Sequence, residues 1–508
     1  MSEPFVRSGG RQRTLAEVKE RAARFGGALR SLGLRHGDRY AIVMRNEIGF
    51  VEANLAATPI GAVPVPVNWH WTGADLRHLL TDSGVKAAVV HSDLIPGVEA
   101  QLPEDVRIVE AQVPPEVRDA YGLGDVPLTG RYPVFDELIA AAGIPAVAPQ
   151  APPMGVIYTS GTTGLAKGIL REPVKPENAP SLLSLVQGVL AMRPGSTIVL
   201  PAPLYHTAPN VNVTFGAVLG VSMVIMPKFD PEEFLRLIAQ YQADSVQVVP
   251  TMFTRLLRLP AETRAKYDVS SLEAVVHAAA PCPPDVKRAM IDWLGPIVRE
   301  YYGGSEGGIW VDCGSAEWLA HPGTVGKPVL DAAIKILGPD LREVPAGETG
   351  AIYGRSPTAW PDFTYIGNDA KRREIDAGEG FVTVGDIGRV DEDGFLYLSD
   401  RANDMVISGG VNIYPAEIEA ALSGLDGVAD AAVFGIPDPD MGEALAAHVE
   451  LLPGSGLTED DIRDYVRGTL ANYKAPKVVV FEQQLPREDS GKLFKRRLKA
   501  PYWEKTGQ

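Results

Sequence analysis

The sequence predicts an α/β fold. It reads as a large N-terminal domain of packed mixed and parallel sheets with helices, a small β-rich subdomain, and a small α+β C-terminal domain. Three observations carry this reading. Segments with helical apolar spacing alternate with short strand-like apolar runs. After residue 330 the pattern changes to short strands separated by Gly and Asp turns. After Arg401 the last segment, about a hundred residues, has its own helix and strand signals and lies within the usual size range of a domain. A chain of 508 residues is too long for one compact core, and the reading divides it into residues 1–400 and 401–508.

The elements follow in order. RTLAEVKERAARFGGALRSLGL places apolar residues at helical spacing and leads through Gly-Asp into the strand-like YAIVM. ADLRHLLTDSGV followed by KAAVVHS repeats that unit, as does PEEFLRLIAQYQAD followed by SVQVVP. The Pro-rich stretches 113–131 and 144–153 read as surface loops. IKILGPD, GAIYGRS, GFVTVGDIGRV and FLYLSDR read as short strands, with DEDG as a hairpin turn. In the last segment PAEIEAALSGL and TEDDIRDYVRGTL read as helices, ADAAVFGIP and ALAAHVEL as strands, and the end as a basic tail. DRANDM is the expected linker.

Bulk chemistry narrows the function. The formal net charge of −16 argues against nucleic acid or an anionic membrane as the main partner, while a local basic patch can still bind a phosphate. Two cysteines, Cys282 and Cys313, exclude a disulfide framework and fit a reducing cytoplasm. The eight histidines show no metal-ligand spacing. The first residues have no apolar signal-peptide core, and the last four, KTGQ, are no peroxisomal address. The most apolar stretch, 211–227, is broken by Asn212, Thr214 and glycines. It falls short of the ~20 apolar residues a membrane-spanning helix needs.

Chemistry concentrates in YTSGTTGLAKG, residues 158–168. Glycines let backbone N–H groups approach a ligand closely, Ser and Thr hydroxyls donate to phosphate oxygens, and Lys167 adds a charge. The spacing is not that of a Walker A loop, and such a stretch alone is also an ordinary turn. The apolar MGVIY before it suggests a strand leading into a loop. Further along, Glu306 in YYGGSEGG is either a surface acid in a tight loop or a Mg²⁺ ligand, since Mg²⁺ takes few protein carboxylates. Asp386 in TVGDIG either caps a turn or accepts from ribose hydroxyls. Arg401 is an ion-pair former or a nucleotide contact. Lys492, in a Gly-containing turn near the end in PREDSGK, reads alone as a solvated tail lysine.

Taken in order, SGTTGLAKG, PLYHTAP, HAAAPC, YYGGSE, TVGD, DRANDMVISGGVNIYPAEIE and PREDSGK resemble the acyl-CoA synthetase branch of the adenylate-forming superfamily, which also holds luciferase and nonribosomal peptide adenylation domains. The resemblance runs over nearly the whole chain. It implies that a carboxylic acid reacts with ATP and Mg²⁺ to give an acyl-adenylate and pyrophosphate, after which CoA displaces AMP. It also implies that the C-terminal domain is mobile and rotates between the two half-reactions.

Residue by residue, the resemblance implies that Thr159, Ser160, Gly161, Thr162, Thr163, Gly164 and Lys167 line the phosphates. Ala279, Ala280 and Pro281 form one wall of the adenine slot and Tyr302 the other, with Gly303 beside it. Ser305 stands where the family usually has Thr and keeps the hydroxyl. Asp386 and Arg401 hold the ribose, and Glu306 with Thr162 or Thr163 holds Mg²⁺. Lys492 is the catalytic lysine touching both substrates, and His206 lies beside the acyl pocket. Gly409 and Gly410 let the pantetheine arm of CoA pass.

Two departures stand out. Ala166 replaces the common Pro in the glycine loop, and Asn403 replaces the usual Asp or Lys at the hinge. CoA carries a 3′-phosphate, so a positive surface is expected from residues 471–499. This stretch holds eight basic residues against three acids, net +5, with Lys474 and Lys477 as candidates. The acyl segments 206–212, 249–253 and 303–310 read as small and apolar, with Gly304, Gly307 and Gly308 leaving room for a bulky fatty, aryl or fused-ring acid. No anionic anchor for a substrate amine is present. The implied partners are this acid, ATP and CoA, and a homodimer is left open. Alternatives are a ligase that loads a carrier protein and a non-catalytic nucleotide-binding homologue.

Overall fold

The computed structural model describes residues 3–145, 154–159, 166–401, 404–487 and 493–504. Helix Leu15–Ser31 begins at a capping box. The Thr14 hydroxyl accepts the Glu17 N–H at 3.1 Å and the Glu17 carboxylate accepts the Thr14 N–H at 2.7 Å, satisfying two backbone donors that lack helical partners. Its buried stripe includes Val18, Ala22, Phe25 and Leu29.

Two sheets organise the N-terminal part. The smaller has four parallel strands in the order Val63–Pro66, Arg39–Val43, Val85–His91, Arg107–Ala111. The larger has thirteen strands. Six of these run parallel in the order Phe5–Ser8, Ser222–Ile225, Thr197–Leu200, Ser245–Val248, Ala274–His277, Val298–Gly304. Both faces of the parallel part are covered. Ile198, Leu200, Met223, Ile225, Ala274 and Val276 join the core shared with the smaller sheet. The intervening Val199, Val224 and Val275 join a second core against helices Pro231–Tyr241, Pro250–Leu257 and Pro284–Leu294. That two-sided burial is why these strands read as continuous apolar runs.

The expected β-rich part is present but not detached. Strands Ala333–Leu337, Gly350–Arg355, Asp386–Val390 and Leu396–Arg401 hydrogen-bond onto the large sheet through Thr324–Pro328 and Gly308–Cys313. DEDG closes the expected hairpin, with the Asp391 N–H donating to the Phe395 carbonyl at 3.0 Å. A separate three-stranded antiparallel sheet joins Ile157–Thr159, Lys167–Arg171 and Phe363–Tyr365.

Beyond Asp404 the chain builds its own sheet from Val406–Ser408, Val411–Ile413, Val428–Asp438, Gly442–Leu451 and Val478–Glu482, with helices Pro415–Ser423 and Glu459–Thr469 packed on it. Two sequence expectations change. The 113–131 loop contains helix Pro115–Tyr121, whose proline start suits a first helical turn. The basic tail is largely a helix, Lys495–Glu504, packed against the sheet through Leu498 and Tyr502. No helix among the described residues is long and apolar enough to cross a membrane.

Candidate active site

The glycine loop is carried on a hairpin. Thr159 pairs directly with Lys167 across its neck, and Tyr158 with Gly168. A Cβ on Gly168 would lie 2.6 Å from the Tyr158 ring, so only glycine lets that ring lie across the strand and reach Asp82 at 2.7 Å. Ser160, Gly161, Thr162, Thr163 and Gly164 lie outside the described residues.

The third strand of this sheet delivers Tyr365 to the site. The Lys167 ammonium stands 5.4 Å from the Tyr365 ring centre. The Tyr365 hydroxyl donates to Glu306 Oε1 at 3.1 Å. Burial pushes the Lys167 ammonium down from its ordinary value, Lys371 adds to this, and Glu306 opposes it. Lys167 and Glu306, 139 positions apart in the numbering, therefore share one electrostatic site.

Arg171, on the same strand as Lys167, joins the two motifs. It is 5% exposed and lies over the Trp360 ring at 5.2 Å. Its guanidinium donates to the carbonyls of Glu306 and Pro361, each at 3.1 Å, and to that of Ser305. Burial lowers its pKa to about 10, and Glu306 and Asp362 oppose the shift. The sequence reading missed Arg171 and Tyr365 because neither lies in a recognisable motif. Their roles come from strand pairing between Lys167–Arg171 and Phe363–Tyr365.

Of the residues expected at the nucleoside, Ala279, Ala280, Pro281 and Tyr302 lie at or just beyond the C-terminal ends of parallel strands, where open α/β sheets commonly bind ligands, and Asp386 and Arg401 lie on an antiparallel pair. Ala279, Ala280 and Pro281 follow strand Ala274–His277 and are exposed. Ala279 has φ +75°, a conformation costly for a residue with a Cβ. The Tyr302 hydroxyl donates to Asp386 Oδ2 at 2.8 Å. Asp386 and Arg401 are direct partners across antiparallel strands, and Arg401 Nε lies 3.4 Å from Asp386 Oδ1. Burial raises the Asp386 pKa and Arg401 partly offsets it. Tyr302, Asp386 and Arg401 are thus brought together.

The glycines of YYGGSEGG have a different role from the one expected. A Cβ on Gly303 would lie 1.9 Å from the Gly308 carbonyl. One on Gly304 would meet Val384 at 2.6 Å, one on Gly307 would meet Trp310 at 2.2 Å, and one on Gly308 would meet Trp360 at 2.2 Å. Protein atoms take up the space read as room for substrate. The Ser305 hydroxyl lies 2.7 Å from that of Thr207, joining this turn to the start of helix Thr207–Leu219. His206 occupies the N-cap position of that helix, its ring 4.5 Å from the Tyr205 ring.

The acyl region is not uniformly apolar either. Buried Asn212 donates to Gln247 Oε1 and, at 3.1 Å, to the Ala208 carbonyl. Gln247 Nε2 donates to the Tyr301 hydroxyl at 2.7 Å. Gln247 and Tyr301 were not assigned from sequence, although Tyr301 lies inside a motif that drew notice.

In the C-terminal part Gly409 and Gly410 form the two-residue turn between Val406–Ser408 and Val411–Ile413, with φ +56° and +81°. A two-residue turn with positive φ at both positions favours glycine. Lys492 and Asn403 lie outside the described residues. On either side of Lys492, Arg487 and Leu493 form an antiparallel bridge, and Arg487 pairs with Asp430. Four of the eight basic residues counted in 471–499 are paired, Arg487 among them. Lys474 meets Glu417 at 2.5 Å, Lys477 meets Asp438 at 2.5 Å, and Lys495 meets Glu419 at 2.8 Å. Counting charge along 471–499 overlooked acids that fold against it from 417–438.

Residues 2–361 match the AMP-binding enzyme family and residues 417–492 the AMP-binding enzyme C-terminal domain. The chain is 30% identical to a long-chain-fatty-acid–CoA ligase of Mycobacterium tuberculosis, over 96% of this chain and 93% of that protein. It is 32% identical to a feruloyl-CoA synthase of an Amycolatopsis species, over 96% and 94%. Its structure is similar to ATP-bound MatB from Rhodopseudomonas palustris, with a TM-score of 0.82 at 27% identity, covering 98% of this chain and 96% of that one.

Proposed function

The chain belongs to the AMP-binding enzyme family, and on that premise we propose that it is an ATP-dependent acid–CoA ligase for a hydrophobic carboxylic acid. The observation that carries this reading is that strand Val298–Gly304 and the turn after it bear members of both the Lys167–Tyr365–Glu306 group and the Tyr302–Asp386–Arg401 group, with Tyr302 and Tyr365 in one apolar cluster. One suits a polyphosphate and the other a nucleoside.

In the first half-reaction a carboxylate oxygen attacks the α-phosphate of ATP, the bond to the bridging oxygen breaks, and pyrophosphate leaves. In the second, the CoA sulfur adds to the acyl carbonyl, its thiol proton is lost, and AMP departs with the electron pair of the mixed-anhydride bond. Two anions must meet in the first step, and their repulsion is strong where water is excluded. We assign Lys492 to offset that charge and Lys167 to hold the departing phosphates. Prepositioned cations and donors of this kind are usually the largest catalytic contribution.

Asp386 accepts from the ribose hydroxyls, its orientation held by Tyr302 and Arg401. Ala279, Ala280 and Pro281 face the adenine, and Gly409 and Gly410 serve the thiol half-reaction after rotation of the 401–508 domain. Lys474 would have to leave Glu417 to meet the 3′-phosphate of CoA.

No group of three or more His, Cys, Asp or Glu able to hold a metal occurs among the described residues. A single carboxylate fits Mg²⁺, which typically takes one or two carboxylates together with substrate phosphates. Glu306 and Thr162 would hold it, and it would supply charge neutralisation at the pyrophosphate.

The relatives act by name on long-chain fatty acids and ferulate, which supports a hydrophobic acid here. The test is incubation with ATP, a panel of acids, and CoA or a carrier protein. CoA-dependent release of AMP and pyrophosphate is expected. Formation of ADP would overturn the adenylation reading, and acylation of the carrier protein alone would replace CoA as acceptor.

A further inference from the structure

The large sheet presents two faces, and alternation along each strand settles which side chain lies on which. Val246 and Val248 belong to the core under helices Pro231–Tyr241, Pro250–Leu257 and Pro284–Leu294, so Gln247 between them faces the other way. Val276 and Tyr301 lie on that other side, with Val211, Val213 and Phe215 of helix Thr207–Leu219. Tyr302 packs with a third cluster. Asn212, Gln247 and Tyr301 therefore meet in the seam between helix Thr207–Leu219 and the sheet. The seam's outer end is the Thr207–Ser305 contact beside the phosphate site.

The polarity of this triad follows from its donors. The Asn212 amide N–H groups go to two oxygens, the Ala208 carbonyl and Gln247 Oε1. Gln247 therefore turns its own NH₂ toward Tyr301. The phenol oxygen accepts that bond, because an amide nitrogen cannot accept one. The Tyr301 proton remains, and no group among the described residues accepts it. Burial pushes the Tyr301 pKa up, and its bond from Gln247 only partly offsets this, so the phenol stays protonated. The ring is only partly buried.

We propose that the acid this enzyme activates carries an acceptor oxygen on its hydrophobic body, and that the Tyr301 hydroxyl, aligned by Gln247 and Asn212, is the specificity-determining donor that reads it. This rests on the acid–CoA ligase reading above. Tyr301 stands three residues back from Gly304 at the end of its strand, which at the usual rise is roughly 10 Å. The oxygen therefore lies well away from the reacting carboxylate, as a ring ketone, mid-chain ketone, hydroxyl or ether would. A wholly hydrocarbon acid that displaced water from this partly buried phenol would leave it without an acceptor, and sites built to hydrogen-bond a substrate discriminate strongly against analogues that lack the group.

The experiment uses matched pairs: 3-(4-oxocyclohexyl)propanoic acid against 3-cyclohexylpropanoic acid, and a mid-chain oxo fatty acid against its oxygen-free parent. AMP formation is followed with ATP and CoA. The full-length enzyme should favour the oxygenated member of at least one pair by about 10- to 100-fold in kcat/KM. In Tyr301→Phe and Gln247→Leu that ratio should fall to near one. A wild-type ratio near one, with brisk AMP release from the oxygen-free acids, overturns the proposal and leaves the ligase reading intact. A preference that survives in folded Tyr301→Phe overturns it too. No AMP from any acid removes both. Should either variant fail to fold, the wild-type ratio alone decides.

Discussion

Replacing Arg171 with methionine separates its place in the site from its place in the fold. The guanidinium holds three backbone carbonyls, those of Ser305, Glu306 and Pro361. Losing a buried hydrogen-bond partner costs about 1–3 kcal/mol per group, so the loss alone should destabilise by several kcal/mol. An opposing effect is nearly as large. A guanidinium whose pKa is held near 10 instead of 12.5 carries a burial penalty on the order of 3 kcal/mol. Methionine, with similar length and no charge, removes it. The net destabilisation should be on the order of 1–3 kcal/mol, and Tm should fall by less than about 10 °C. Catalysis has no such compensation, because the turn carrying Ser305 and Glu306 loses its anchor. Displacement of a catalytic group by about 1 Å can cost roughly 100-fold. ATP–pyrophosphate exchange in Arg171→Met should therefore fall about 10- to 100-fold with the protein still folded. Wild-type exchange would refute the reasoning, as would a loss that simply follows unfolding at the assay temperature.

Lys492→Ala should slow acyl-adenylate formation roughly 100- to 1000-fold while thioester formation from supplied acyl-adenylate and CoA stays within a few-fold. An equal loss in both half-reactions would remove the lysine from the first. Asp386→Ala should raise the KM for ATP about 10- to 100-fold through loss of charge-assisted hydrogen bonds, with Asp386→Asn intermediate; unchanged ATP saturation would displace it from the ribose. Glu47 links the fold to pH. Burial would raise its pKa, but His91 and Arg11 outweigh that and bring it down from 4.5 to about 2. A depressed carboxylate contributes stability above its unfolded value, and that contribution is lost as pH falls from about 4.5 to about 2. Urea unfolding of Glu47→Gln should be weaker at neutral pH and less acid-sensitive across this window, and parallel pH profiles for the two proteins would contradict it.

What could be read from the chain depended on whether the relevant physics was local. The strands Arg39–Val43 and Val85–His91, read from YAIVM and KAAVVHS, were legible because burial on both faces demands continuous apolar residues. The strand leading into the glycine loop was legible from its apolar lead-in, and Asp386 and Arg401 were singled out by a resemblance spanning the chain. What escaped was set by long-range pairing. Arg171 reaches carbonyls 134 and 135 residues away, and nothing around it in sequence marks a buried guanidinium. The charge of 471–499 was countable, but Glu417, Asp438, Glu419 and Asp430 lie earlier in the chain and fold back to pair with Lys474, Lys477, Lys495 and Arg487. Half of the positive charge counted in the segment is therefore already neutralised, and free CoA must compete with these acids for Lys474, Lys477 or Lys495. The seam under helix Thr207–Leu219 is the same problem with opposite sign. Val211 and Val213 flank Asn212, and Val246 and Val248 flank Gln247, so each polar side chain sits in an apolar run that alone reads as core. Only their meeting with Tyr301, 54 residues beyond Gln247, converts two apparent interruptions into an oriented donor. The described protein supplies no acceptor for its proton, and that acceptor is assigned to the substrate.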